Sequence, residues 1–363
     1  MIIKFQNSSD TLWLPIYSLN DEVHQSSLFF LLAFLQAALF IFTGYVVVRS
    51  CYIFLTVKIF HENKSILMAW FFIQWFEGVI AKIIIFPFQT GIIVFGNDPN
   101  ITHYGWWTEE ENEMVLVQNQ HPYILPLFLS SWILWHYVYS MIFALVTLVL
   151  ERLCATYYIE DYEHVRRRHI PYLLIAFTNI ITIPYSFFIL NNFIPFSIAF
   201  AQCVANGAFI FFGYITFGFI NIYSKKKLDN RKARGCDSYS LAKKFQIEEN
   251  IRSFKLAIKM VIAAVTYLML ALFIVLLLVY KVFDGYESIL VHIFDNVILG
   301  AALILCLTLI ACSPSWTESF LSQLPIIGSY RSPRVAHFNF LPDANSSTTE
   351  SDVYFKQLKT AWL

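Results

Sequence analysis

Glu77, Lys82 and Asp295 carry formal charge inside otherwise apolar stretches of the chain. Ionised side chains are costly to hold in such surroundings, so they pair with one another, line a polar path or meet a ligand. Lys82 and Asp295 are expected at similar depth on neighbouring helices. That predicts an ion pair between them, with Glu77 facing an internal water or ion site. The three form a candidate polar network. A second group starts at Glu151-Arg152 and runs to Asp161 and Glu163. Arg152 stays charged at any cellular pH. Carboxylates at the helix ends can hold it in one state and release it toward a partner in another, which is the chemistry of a switch.

Catalytic chemistry finds little to work with. The chain has no Gly-x-Ser-x-Gly, no phosphate-binding loop, no His-Glu-x-x-His and no Cys-x-x-Cys. Only His136 and His292 fall in the apolar stretches, too few for a three-histidine zinc centre. No catalytic residue, metal or cofactor is expected, and the chain is not read as an enzyme.

The elements that must position these charges follow from composition. Of 363 residues, 58% are hydrophobic and 14% charged, against roughly a quarter charged in a soluble domain. A net charge of zero gives no sign of a nucleic-acid partner. The charges are clustered, and the runs between them match the roughly 20 apolar residues of a membrane-spanning helix. Seven spans are predicted near residues 25–48, 66–88, 123–150, 171–190, 196–222, 256–280 and 288–312. The charge-free run 170–224 must fold back, at Asn191-Asn192-Phe193-Ile194-Pro195. Residues 240–255 carry a helical pattern that extends the sixth span. The expected class is an all-α membrane protein, with a seven-helix domain over 25–312 between segments 1–24 and 313–363.

Seven spans put the termini on opposite sides, and the positive-inside rule orients them. Segments 49–65, 151–169, 223–255 and 313–363 hold 21 of the 25 Lys and Arg residues. The N-terminus is therefore expected to be extracellular and the 313–363 tail cytoplasmic. The sequons at Asn7 and Asn100 fall on the expected outer side, where they are candidate glycosylation sites. Glu109, Glu110, Glu111 and Glu113 beside Trp106-Trp107 read either as a solvated loop with an aromatic anchor or as a ligand-facing lid. The six cysteines lie in spans or on the reducing side, so no structural disulfide is expected. Cys312 is a candidate for palmitoylation.

The run Glu151-Arg152-Leu153-Cys154-Ala155-Thr156-Tyr157-Tyr158-Ile159-Glu160-Asp161-Tyr162-Glu163 lies at the inner end of the third span. Its acid–arginine pair resembles the Asp/Glu-Arg-Tyr signature of G-protein-coupled receptors. The longer pattern E-R-x-x-A-T-Y-Y-x-x-D-Y-E resembles the nematode chemoreceptor family called serpentine receptor class epsilon. The short turn between spans four and five, the aromatic richness and the length are similar to that family too. The resemblance implies a chemosensory receptor in the plasma membrane, in sensory cilia, that binds a small-molecule or peptide cue and activates a heterotrimeric G protein. Rhodopsin-like switches are not carried over. Span seven lacks Asn-Pro-x-x-Tyr, span six lacks proline, and no cysteine pair ties span three to an outer loop.

Depth alone suggests Trp132, Gln202, Tyr267 and His292, beside Lys82 and Asp295, as a candidate ligand pocket. The basic run at 225–234 suits either anionic lipid of the bilayer or a docking partner. Ser346, Ser347, Thr348, Thr349 and Ser351 lie beside acids as candidate phosphorylation sites, readable by an arrestin-like protein. Residues Trp316–Leu324 suit a short amphipathic surface helix. The rival reading is a multi-pass transporter or ligand-gated channel using Glu77, Lys82 and Asp295 as its polar path. It lacks the internal repeat and paired broken helices common in transporters.

Overall fold

In the computed structural model, residues 1–6, 8–96, 101–118, 122–158, 167–233, 241–283 and 285–322 are described. Seven helical segments are long and apolar enough to cross a membrane. They are α1 (Ser27–Thr56), the pair α2 (Glu62–Ile73) and α3 (Trp75–Gln89), α4 (Ile124–Tyr157), α5 (His169–Leu190), α6 (Phe196–Ala233), α7 (Leu241–Val279) and α8 (Glu287–Ala311). A short α9 (Pro314–Ser322) follows. The outward faces are strongly apolar; Phe34 and Ile41 of α1 are 69% and 76% exposed, as side chains against lipid should be.

The second span is broken where one continuous helix over 66–88 was expected. The Glu77 N–H bonds Gln74 O at 3.0 Å, a three-residue step that tightens the turn. Past the break, Trp75 is buried and its indole N–H donates to Leu299 O of α8 at 2.8 Å. α4 is the central helix, packed on α2, α3, α5 and α6; α7 packs on α6 and α8, and α8 on α1. A Cβ at Gly78 would lie 2.8 Å from the Tyr137 ring, so glycine there lets α3 and α4 approach closely.

Residues 1–24, expected as a plain appendage, are built into a lid over one end of the bundle. β1 (Ile2–Phe5) pairs antiparallel with β2 (Thr11–Trp13) and parallel with β5 (Val115–Val117). β3 (Ser18–Leu19) pairs antiparallel with β4 (His103–Tyr104). Ile2, Ile3, Leu12, Trp13, Leu14 and Leu19 are buried. These strands are too short to register as a pattern beside seven 20-residue runs. At the opposite, tail end, α9 buries Trp316 completely. Its indole donates to Val57 O at 3.2 Å and its ring meets Phe54 and Phe60. The α9 tryptophan thus packs into protein instead of facing lipid.

Candidate functional site

Polar side chains gather at three levels of the bundle. At the tail end, the last turns of α4 carry Glu151 and Arg152, both buried. Arg152 grips its neighbour bidentately, Nε to Oε2 and Nη2 to Oε1, each at 2.5 Å. Such a fork is the strongest geometry available to a guanidinium. Nη1 points the other way, donating to Asn250 Oδ1 and Ser253 Oγ of α7, both at 3.4 Å. Asn250 Nδ2 in turn donates to Asn221 Oδ1 of α6 at 2.9 Å and to Thr156 Oγ1 at 3.4 Å. One arginine therefore links α4, α6 and α7 through uncharged partners. Beside it lies a cavity of ≈ 10 Å³ walled by Leu148, Tyr214, Leu256 and Met260, room for about one water.

Midway, the expected three-member network is divided. Glu77 does not join Lys82 and Asp295; it shares a hydrogen bond with His136 Nδ1 of α4 at 2.9 Å, and Ser140 Oγ faces His136 Nε2 at 3.3 Å. Glu77 is partly exposed, while Ser140 is buried.

Toward the lid end, Lys82 of α3 and Asp295 of α8 are in direct contact, the pairing expected of them. The Lys82 ammonium also donates to Gln89 Oε1. His292, three residues before Asp295, is buried against Phe29 of α1. Above it, Asp21 sits within 3.0 Å of His24 Nδ1 and accepts from Val23 N. Burial pushes the Asp21 carboxyl up, but hydrogen bonds from His24 and Ser288 outweigh it and leave it below the usual value of 3.8. Burial pushes the nearby Tyr104 phenol up to about 12, and its hydroxyl bonds Ser288 Oγ at 3.0 Å. The mouth itself is filled by Trp13. Its ring packs edge-on to Trp135, Phe196 and Trp106, and its indole donates to Trp106 O at 3.1 Å. Trp135 Nε1 donates back to Trp13 O at 2.8 Å. Trp106 packs into this mouth while Glu109, Glu110, Glu111 and Glu113 are exposed, so the loop carries features of both readings.

The model of the Sre G protein-coupled chemoreceptor family matches residues 1–363. The chain belongs to that family. It is 44% identical to serpentine receptor class epsilon-37 of Caenorhabditis elegans over the full length of both chains. It is 34% identical to serpentine receptor class epsilon-38 of the same organism, over 99% of this chain and all of that one. No solved structure is a match. The chain is thus a multi-pass membrane protein of a serpentine chemoreceptor class.

In this Sre receptor, the four residues picked by depth have separate partners. Trp132 donates to Ile183 O and Ser186 Oγ of α5, His292 faces α1, and Gln202 donates to Asn206 on its own helix. Tyr267 is half-buried on α7. Depth fixes height in the bundle but not direction around a helix. Asp161, Glu163, Asn7, Asn100 and the five tail hydroxyls lie outside the described residues. Sequence reasoning missed Asn221, Asn250, Ser253, Gln89 and the strands of the N-terminal segment. The signal it had for the first three was amide and hydroxyl side chains standing in or beside an apolar run.

Proposed function

We propose that this Sre receptor binds an external chemical cue in the lid-end half of its bundle and activates a heterotrimeric G protein at the tail end. The observation that carries the reading is Arg152, held by Glu151 on its own helix and by Asn250 and Ser253 on α7. A resting arginine bonded to a neighbouring helix through neutral groups is a latch of modest strength, since such hydrogen bonds contribute about 0.5–1.5 kcal/mol each, up to 3 when one partner is charged. Binding at the other end that shifts α7 or α8 loosens the guanidinium's hold on α7 and turns its Nη1 edge toward a partner, with Glu151 still beside it. The lid end faces the exterior in this reading, with glycans at Asn7 and Asn100. The basic run below α6 meets partner or lipid on the cytoplasmic side, and phosphates on Ser346 to Ser351 recruit an arrestin-like protein. Residence in the plasma membrane of sensory cilia follows from the same reading.

The test is a cue panel applied to cells expressing the receptor, read by G-protein dissociation, beside Arg152→Ala at matched surface density. A cue-dependent response lost in Arg152→Ala supports the reading. A cue-gated ionic current with no G-protein response would count against it and favour a channel.

A further inference from the structure

The lid-end polar cluster has buried hydrogen-bonding capacity left over: the acceptors Asp21 Oδ2 and Asn296 Oδ1, and, beside the Lys82 ammonium, the donor Gln89 Nε2. Gln89 is 3% exposed, and its Nε2 has no hydrogen-bond partner. Its Oε1 is already taken by Lys82. The Lys82 ammonium is buried and commits two of its three protons, to Gln89 and to Asp295. Asp295 is the looser partner, with a side chain 20% exposed against 7% for Lys82. Asp21 Oδ1 accepts from the Val23 N–H, while Oδ2 lies 3.0 Å from His24 Nδ1 without a hydrogen-bond partner. An orphaned buried amide costs free energy until an acceptor meets it.

The surroundings of these donors are apolar and aromatic. Phe294 adjoins Asp295 and meets Trp106 of the lid at 5.9 Å, in a cluster with Tyr17, Ile274 and Val291. The covering segment is fastened to the end of α3. Asn20 N donates to Phe88 O at 3.0 Å, Asp21 N to Gln89 O at 2.9 Å, and Gln25 Nε2 to Thr90 O at 3.2 Å. The backbone carrying Gln89 is therefore part of the lid's own seam.

We propose that the Lys82 ammonium and the Gln89 amide form the headgroup end of a site for a small carboxylic acid with a compact apolar body, whose carboxylate displaces that of Asp295. The inference rests on the reading of the lid-end half as the cue site, and it names the chemical class of the cue. Exchange keeps the buried ammonium compensated, which matters because stranding one member of a buried pair is severe. It satisfies the Gln89 donor, and it releases Asp295, so that α3 and α8 lose their ionic link. An amine does the opposite. It would claim Asp295, strand Lys82 and leave Gln89 Nε2 unpartnered.

The experiment is thermal unfolding of the purified full-length receptor in lipid nanodiscs, without G protein, titrated with hexanoate or hexylamine. Hexanoate is expected to raise the midpoint by about 2–4 °C at saturating concentration, and hexylamine to leave it unchanged. The variant is Lys82→Met combined with Asp295→Asn, which strands no charge and should fold where Lys82→Met alone fails. Its expected hexanoate shift is nil, and Gln89→Leu should need several-fold more hexanoate than the wild type. No hexanoate shift in the wild type overturns the proposal, as does an equal shift in the double variant. A hexylamine shift lost in the double variant overturns it too, in favour of an amine site on Asp295. Because no G protein is present, failure here is separate from failure of coupling through Arg152.

Discussion

Asn250 of α7 donates to Asn221 of α6 at 2.9 Å, and its side-chain oxygen accepts from Arg152 of α4. A single amide thus closes a contact among three helices. Asn250→Ala leaves Asn221 and Arg152 each short of a partner, at about 1–3 kcal/mol per unsatisfied buried group. The receptor in nanodiscs should melt at lower temperature and show raised basal G-protein activation at equal surface level. An unchanged melting point together with unchanged basal activity would place Asn250 outside the latch.

Glu151→Ala is predicted to be the more damaging change. It strands a guanidinium whose side chain is 2% exposed, and breaking a buried pair costs about 3–5 kcal/mol. Glu151→Gln keeps the volume and part of the hydrogen bonding, so it should retain more folded receptor on size-exclusion chromatography. Equal yields for the two variants would contradict the pairing.

Glu77 and His136 meet at 2.9 Å in the middle of the bundle. His136→Leu and Glu77→Gln should each lower thermal stability. The double variant should lose less than the sum, with a coupling of about 0.5–3 kcal/mol. Strict additivity would mean that the two side chains act independently.

The lid has an acid-sensitive hinge. The Asp21 carboxyl lies below the free value of 3.8 in the folded lid, so the unfolded lid binds the proton more readily. That contribution to stability is present above about pH 4 and is lost as pH falls further. Fluorescence of the tryptophans around Trp13 should report lid opening on acidification below pH 4. In Asp21→Asn the transition should flatten; an unaltered transition would assign it to other groups.

Trp13→Ala removes the side chain that fills the mouth. Truncating a buried tryptophan costs about 3–5 kcal/mol, and here the loss falls on the lid. Hydrogen exchange should accelerate over residues 1–19 and 115–117 while α4 remains protected. Uniform acceleration across the helices would show that the lid is not a separate unit.

The seven helices were legible because a membrane span needs a long apolar run, and each run was there to be counted. The contact of Lys82 with Asp295 was legible for a related reason: two opposite charges at one depth have few alternatives in an apolar setting. Glu77 was read by its charge, while its partner His136 on α4 was not foreseen, because depth does not fix direction around a helix. The strands of the lid escaped notice because runs of two to four residues leave almost no periodic trace. The Arg152 latch was half-read. The arginine stood out by charge, while its partners Asn250 and Ser253 are neutral and belong to a helix nearly 100 residues away.

The parallel pairing of β1 with β5 has a consequence for the order of assembly. Ile3 meets Val115, and Phe5 meets Val117, so the first strand can pair early with β2 but lacks its second neighbour until about 110 further residues have left the ribosome. At about 5–20 residues per second, one edge of the N-terminal hairpin stays open for several seconds while the first two spans insert. The Tyr104–Ser288 bond cannot form until α8 itself arrives. The mouth of the receptor is therefore completed only after the last span has arrived.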